Sequence, residues 1–240
     1  MQPRYLFLSG LGILLSIFAL GQSGLAPFSE LIPVMLQGTW VTVQITVLGC
    51  GLAVIAAFIA GLTKMYAPLP LKWLAVTYIE IFRGTSALVQ LFWMFFVLPY
   101  FGIVLEPFEV GVIALGLNVG AYGAELVRGS IGSVASGQWE ACRALNIPRV
   151  TALRRIILPQ ALLAMIPPWG NLFIELLKAS AIVSMITLAD LTFKAQQLNQ
   201  FTLQTTEIFS LVLCIYFGIA LLMTAGMRAL ETVVKRGFVR

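Results

Sequence analysis

The sequence predicts an all-α, polytopic membrane protein with five or six transmembrane helices, and three observations support that prediction. Hydrophobic residues make up 60% of the 240 positions, charged residues make up only 10%, and the mean hydropathy is +0.96. Several apolar runs approach the roughly 20 residues that a helix needs to cross about 30 Å of hydrocarbon. Lipid-exposed backbone must satisfy its own hydrogen bonds, so these runs are predicted to be helices. Little chain remains for a separate soluble domain.

Six apolar runs are the candidate spans. They fall at 5–22, 39–63, 85–105, 109–128, 162–189 and 207–229. The first run follows Arg4 and ends in small residues, so it also resembles a cleaved signal peptide. A retained helix gives six spans, and cleavage leaves five without moving any later element. Pro167 and Pro168 are expected to break the helix that enters the fifth run.

Basic residues predict the orientation of these spans. With a cytoplasmic N-terminus and six spans, thirteen of the fifteen lysines and arginines fall on the inner side, and Lys178 and Lys194 are the exceptions. This asymmetry follows the positive-inside rule and predicts a multi-pass protein of the cytoplasmic membrane. It also accounts for the net charge of +5, so nucleic acid is not an expected partner. The inner set is Arg4, Lys64, Lys72, Arg83, Arg128, Arg143, Arg149, Arg154, Arg155, Arg228, Lys235, Arg236 and Arg240.

The residue inventory argues against catalysis and metal binding. The chain has no histidine, and its three cysteines, Cys50, Cys142 and Cys214, lack a paired spacing. No catalytic residue, metal site or cofactor of the chain itself is therefore predicted. An intramembrane enzyme is conceivable only through Lys178, which has serines at positions 180 and 184 nearby in sequence.

Two of the predicted spans carry polar residues at helical spacing. Asn118, Tyr122 and Glu125 share one face of the fourth span, and Asn171, Glu175 and Lys178 repeat that spacing in the fifth. Such groups normally face the bundle interior or a wet cavity, so they either join helices or line a pathway. Glu175 and Lys178 are expected to neutralise one another across one turn. Glu125, with Arg128, is expected in an ion network at the cytoplasmic boundary. The pathway candidates are Gln90, Asn118, Tyr122, Asn171, Glu175 and Lys178, with Tyr122 and Asn171 preferred.

A polar segment at 130–159, which we call the arginine loop, interrupts the apolar pattern with four arginines. Ser136 is a candidate cap for a short helix ending near Leu145, and Asn146 suits a left-handed turn. Pro148 is suited to start a second helix. The residues alone allow two interpretations: an amphipathic hairpin on anionic headgroups, or a rigid element inserted into a cytoplasmic partner.

The order of residues in the arginine loop resembles the EAA loop of ABC importer permeases. Glu140 and Ala141 precede the turn residue Asn146, and Leu158 and Pro159 follow. In that family the first helix of the loop docks into a groove of the ATPase subunit. The resemblance implies that the docking residues are Glu140, Ala141, Arg143, Asn146, Leu158 and Pro159. This chain has Asn146 where the family usually has glycine, and both residue types tolerate positive φ.

The resemblance extends over about residues 38–230 and is closest to the polar amino-acid branch of these permeases. The segments 80–85, 120–129, 158–161 and 166–171 follow the branch pattern in the right order. The resemblance implies a type I ABC importer transmembrane domain at 38–230, preceded by an extension and external segment at 1–37. A cytoplasmic basic tail follows at 231–240. The departures Ser86 and Ala179–Ala181 leave room for a zwitterion such as ectoine in place of a cationic amino acid.

The resemblance also implies the partners. They are ATP-binding subunits at the cytoplasmic face, an extracytoplasmic substrate-binding protein, membrane lipid, and a second permease subunit that is either identical or related. The chain contains no Gly-x-x-x-x-Gly-Lys-Ser/Thr phosphate-binding loop, so ATP is expected on the partner subunits. An ion-coupled secondary transporter is the alternative, although inverted repeats typical of such carriers are not evident.

Overall fold

The computed structural model describes residues 28–238, which form helices joined by short loops and contain no strand. The predicted first run at 5–22 lies outside these residues. The α-helices are α1 (Phe28–Tyr66), α2 (Leu69–Gly84), α3 (Ala87–Phe92), α4 (Pro107–Gly132), α5 (Ser136–Ala144), α6 (Arg149–Ala152), α7 (Leu158–Ala179), α8 (Leu191–Thr202) and α9 (Thr205–Phe238). π-turns occur at Trp93–Val97 and Leu153–Ile157, and 3-10 segments at Leu98–Phe101 and Ser180–Ile186.

Four continuous helical stretches are long and apolar enough to cross a membrane. They are Ile32–Tyr66, Pro107–Gly132, Arg149–Ile186 and Thr205–Lys235. A fifth crossing is possible if the pair Leu69–Gly84 and Ala87–Phe101, bent by 109°, is one broken span. The all-α, polytopic fold is therefore confirmed.

The third predicted run, 85–105, covers only part of that broken span. Helix α2 lies outside the six predicted runs, because Lys72, Glu80 and Arg83 lower the hydropathy of the segment that contains it. Between these charges the residues are mostly apolar, and Ala75 and Ile79 are buried. The helix that precedes the bend therefore lies outside the predicted runs.

Helices α1 and α4 form the centre of the bundle and run in the same direction. The close contacts advance together along both helices, from Gly116 beside Leu52 to Gly120 beside Ala56. A Cβ added at Gly120 would lie 2.9 Å from the Ala56 side chain, so only glycine permits this approach. Because α1 and α4 are parallel, the broken span between them must return the chain to the opposite end.

Helix α7 runs antiparallel to α1 and α4. Its Trp169 lies against Gly123, and further along its Leu176 lies against Gly49. Pro167 and Pro168 lie inside α7 and do not break it, contrary to expectation. Prolines are tolerated in transmembrane helices when surrounding packing holds the helix together, and here the flanking Met165 and Trp169 are both buried in the core.

Helix α8 packs against α1 at the end of the bundle opposite the arginine loop, and its first turn is anchored to α1. The Asp190 Oδ1 atom accepts a hydrogen bond from the Phe193 N–H at 2.8 Å and caps α8. The Leu191 N–H donates to the Thr42 hydroxyl of α1 at 3.1 Å. Asp190 is fully buried, and its Oδ2 atom has no hydrogen-bond partner among the described residues. Burial raises the pKa of this carboxyl to about 6.

Candidate functional site

The arginine loop folds as a short surface helix followed by a left-handed turn. In α5 the side chains of Glu140, Ala141 and Arg143 are exposed, whereas Cys142 is buried. Asn146 has φ of 53°, as its type predicted. The Ile147 N–H donates to the Cys142 carbonyl at 2.9 Å, which closes the turn. The exposed face of α5 is thus presented on a fixed support.

Two details of the predicted hairpin are wrong. Ser136 is the first residue of α5 and not its cap, because Ala135 occupies that position and no side chain caps the helix. The second arm is not a separate surface helix, because α6 continues through the Leu153–Ile157 π-turn directly into α7. Leu158 and Pro159 therefore begin α7 itself. Helix α5 is joined by one tight turn to a helical stretch that runs from Arg149 to Ile186.

An ion network ties α1 to α4 near the arginine loop. The Lys64 Nζ atom lies 2.6 Å from Glu125 Oε1, and a guanidinium nitrogen of Arg128 lies 2.8 Å from Glu125 Oε2. Glu125 is only 19% exposed, so both cations compensate a largely desolvated carboxylate. The expected boundary network is therefore present.

The break between α2 and α3 is stabilised by two amide side chains. The Gln90 Nε2 atom donates to the Phe82 carbonyl at 2.9 Å and to the Thr85 hydroxyl at 2.7 Å. The Asn118 Nδ2 atom donates to the same Phe82 carbonyl at 2.9 Å and to Gln90 Oε1 at 3.1 Å. Helix ends leave carbonyls without intrahelical partners, and these amides supply them. Gln90 and Asn118 therefore act on the backbone at the break, which is the helix-joining alternative for Asn118.

Arg83, at the end of α2, is a candidate site residue that the sequence reasoning missed. Its guanidinium carbon lies 5.4 Å from the ring centroid of Tyr122, within the range of a cation–π contact. Both side chains are exposed, and among the described residues Arg83 forms no salt bridge. The apolar residues between Lys72 and Arg83 were the signal that could have placed Arg83 on a helix.

The polar residues of α7 form one exposed face. Asn171, Glu175 and Lys178 are all exposed, and the expected Glu175–Lys178 ion pair is not formed in the described part of the chain. Both side chains are exposed on the surface of this single chain, so neither needs the other to compensate its charge. An unpaired charged face inside an apolar span requires water or another protein chain beside it.

The α7 face and the Arg83–Tyr122 contact lie at similar depth in the bundle. Trp169 meets Gly123, one residue from Tyr122, and Asn171 is two residues further along α7. No described hydrogen bond joins Tyr122 or Asn118 to the α7 residues. We call Arg83, Tyr122, Asn171, Glu175 and Lys178 together the polar face. Within residues 28–238 no group of three His, Cys, Asp or Glu side chains is arranged to hold a metal ion.

Comparison with known proteins shows which family has this architecture. Residues 49–236 match the family model described as binding-protein-dependent transport system inner membrane component. A probable amino-acid ABC transporter permease of Sinorhizobium fredii is 47% identical over 206 residues, covering 83% of this chain and 87% of that protein. The L-cystine transport system permease of Bacillus subtilis is 39% identical over 200 residues, covering 83% and 86%.

A solved structure agrees with these relatives. The crystal structure of an amino acid ABC transporter with histidines superposes with a TM-score of 0.80 and 36% sequence identity, over 87% of this chain and 99% of that one. The family match covers well over half of the sequence. The chain therefore belongs to the binding-protein-dependent transport system inner membrane component family, and it is a permease subunit of an amino-acid ABC transporter.

Proposed function

We propose that this permease imports a polar amino acid or a related zwitterion, such as ectoine, across the cytoplasmic membrane. The observation that supports this proposal is the polar face, which combines two cations, one carboxylate and two neutral polar groups on largely apolar helices. A zwitterion carries a carboxylate and an ammonium group. Arg83 offers a partner for the first, and Glu175 offers a partner for the second.

Energy for import is supplied by separate ATPase subunits that bind the arginine loop. The docking residues are Glu140, Ala141, Arg143, Asn146, Leu158 and Pro159. In support, α5 exposes its acidic and small residues together on a surface fixed by the Asn146 turn. Helix α5 continues through that turn into the helical stretch that carries Asn171, Glu175 and Lys178. A displacement of α5 would therefore reach the polar face through rigid elements.

A second permease subunit, identical or related, completes the pathway by covering the polar face. The physical reason is that exposed Glu175 and Lys178 cannot face hydrocarbon without a large free-energy penalty. A soluble binding protein delivers the substrate to the outer end of the bundle. Alternation between outward and inward openings then moves the substrate past Arg83, Tyr122 and Asn171.

The residues of the chain and the named substrates of similar transporters together support a small zwitterion as the substrate. L-cystine is named for one relative, and histidines for a solved transporter of 36% identity. Each is a small zwitterion with an α-carboxylate. The uncharged segment Ala179–Ala181 next to Lys178 favours such a zwitterion over a strongly cationic solute. The ion-coupled carrier considered from the sequence gains no support from the family or the relatives.

The test begins with the tagged chain purified from its own membranes in mild detergent, with bound proteins identified by mass spectrometry. An ATPase, with or without a second permease, is the expected companion. The recovered complex is then reconstituted in vesicles with a binding protein, and uptake of labelled cystine, histidine and ectoine is measured with ATP or with vanadate-trapped ATPase. Transport by the chain alone without ATP, abolished by an ionophore, would mean a secondary carrier instead.

A further inference from the structure

An open groove lies between α1, α7 and α9, away from the polar face. Its volume is about 300 Å³, and all its lining side chains are hydrophobic. They include Phe58 of α1, Leu162 and Ile166 of α7, and Leu230 and Val234 of α9. These positions lie toward the inner ends of all three helices. The groove therefore opens within the cytoplasmic half of the membrane.

Two arginines lie on the helical stretch that forms one wall of this groove. Arg155 precedes Leu162 by seven residues on the same continuous helical stretch, about two turns closer to its arginine-loop end, and it lies within the π-turn at Leu153–Ile157. Arg154 is its neighbour, and both are exposed. On α9, Lys235 pairs with Glu231 at 2.6 Å, which compensates the negative charge next to the groove residues Leu230 and Val234. Among the described residues neither Arg154 nor Arg155 forms a salt bridge, so the inner part of the helical stretch that contains α7 carries net positive charge.

We propose that this groove binds an anionic phospholipid of the inner leaflet. Its acyl chain fills the apolar groove, and its phosphate is held by Arg154 and Arg155. Hydrophobic walls offer no partner to a polar solute, whereas an acyl chain fills the groove without burying any unsatisfied polar group. Basic pockets between transmembrane helices on the cytoplasmic side are typical binding sites for anionic headgroups. Charge complementarity thus selects an anionic lipid over a neutral one.

The proposed lipid contacts the arginine loop itself, through Arg154 and Arg155. Arg154 and Arg155 lie between the Asn146 turn and α7, so a phosphate bound there would fix the inner end of that helix against α9. We therefore expect ATP hydrolysis by the assembled complex to increase when anionic lipid is present. This expectation depends on the proposed ATPase partners, whereas the lipid binding itself can be measured without them.

Lipid binding is tested on the purified full chain by native mass spectrometry after exchange into mixed micelles. The probes are phosphatidylglycerol and phosphatidylcholine with identical acyl chains. The wild-type protein is expected to retain phosphatidylglycerol preferentially. The double variant Arg154→Gln/Arg155→Gln should weaken that retention about thirtyfold, or about fivefold for each arginine. Lys72→Gln, at an exposed basic residue on another helix, is the matched control and should retain the lipid normally.

A second pair of variants tests the groove without altering charge. Leu230→Trp fills the groove from a side chain that is 48% exposed, and it should reduce retention of phosphatidylglycerol. Leu222→Trp, at a 75% exposed position of the same helix outside the groove, should not. Equal retention of the two lipids by the wild-type protein would overturn the proposal, as would normal retention by the arginine double variant. Loss of a second permease subunit from the Leu230→Trp protein would show that protein occupies the groove.

Discussion

The guanidinium of Arg83 stacks on the ring of Tyr122, 5.4 Å from its centroid, where α2 meets α4 beside the helix break. The break itself is held by Gln90 and Asn118, whose amides bind the Phe82 carbonyl. The stacking aligns Arg83 along an exposed aromatic surface and leaves its N–H donors without a carboxylate partner among the described residues. A substrate carboxylate can therefore become that partner.

Arg83→Gln should selectively weaken transport of substrates that carry a carboxylate. Hydrogen bonds to charged groups contribute about 1.5–3 kcal/mol, so kcat/KM for a transported amino acid should fall at least tenfold. Uptake of the corresponding carboxamide should change little. The measurement is ATP-driven uptake of both compounds by the reconstituted complex. Arg83→Lys keeps the charge and should restore part of the activity, and an equal loss for both compounds would contradict a carboxylate contact.

Glu140→Lys should abolish ATP-coupled uptake while leaving membrane insertion intact. Glu140 is exposed on α5, so reversing its charge disturbs no buried group of this chain. Central residues of an interface each contribute about 2 kcal/mol or more, so ATPase recovery with the chain should fall at least thirtyfold. Recovery is measured by affinity purification, and uptake in vesicles. Glu207→Lys, at the outer end of α9, is the control, and normal uptake by Glu140→Lys would remove the docking assignment.

Asn118→Ala and Asn171→Ala should affect different properties: the first should lower stability, and the second should change transport. Asn118 donates to the Phe82 carbonyl, which Gln90 also binds, and to Gln90 Oε1, which has no other described donor. Removal of the Asn118 amide therefore leaves the Gln90 oxygen without that donor and should reduce the free energy of unfolding by about 1–3 kcal/mol. Asn171 is exposed and has no described hydrogen bond, so its removal should alter substrate selectivity with little loss of stability. Unfolding in detergent and uptake kinetics distinguish the two. Unchanged kinetics for Asn171→Ala would exclude it from the pathway.

Gly123→Ala should destabilise the bundle because the site has no room for a methyl group. An added Cβ would lie 2.6 Å from the Trp169 ring and 2.8 Å from the Ala57 side chain. Overpacking of this kind reduces the free energy of unfolding by about 1–3 kcal/mol. Gly129→Ala is the control, since its Cβ would meet nothing within 4 Å. A melting temperature equal to that of the wild-type protein would show that Trp169 can move aside.

Much of the fold could be predicted from the sequence because hydropathy records burial in lipid directly. Four of the predicted runs overlap the four long helical spans. Helix α2 was missed because charges bound it at both ends, and its apolar stretch is shorter than a full span. The continuity of α7 through Pro167 and Pro168 was also missed, because it depends on neighbours that a single sequence does not display.

The candidate site was predictable in its residue types and less so in its contacts. Helical spacing correctly grouped Asn171, Glu175 and Lys178 on one exposed face. The same spacing could not show that Asn118 binds a backbone carbonyl of another helix, because that contact joins residues 36 positions apart. The Arg83–Tyr122 contact was equally hidden, since it depends on the bend between α2 and α3.

The buried carboxyl of Asp190 should make the stability of the chain depend on pH. Its pKa is raised from 3.8 to about 6, chiefly because burial disfavours the charged form. Protonated Asp190 therefore contributes stability that is fully present below about pH 4 and is lost as the pH rises through about 6. The shift of roughly two pKa units corresponds to about 3 kcal/mol.

Asn keeps the capping oxygen without the charge, so Asp190→Asn should flatten this dependence and be more stable than the wild-type protein at pH 7. Chemical unfolding in detergent between pH 4 and pH 7 measures both effects. A wild-type profile without this decline, or an equal decline in Asp190→Asn, would show that Asp190 does not carry the titration.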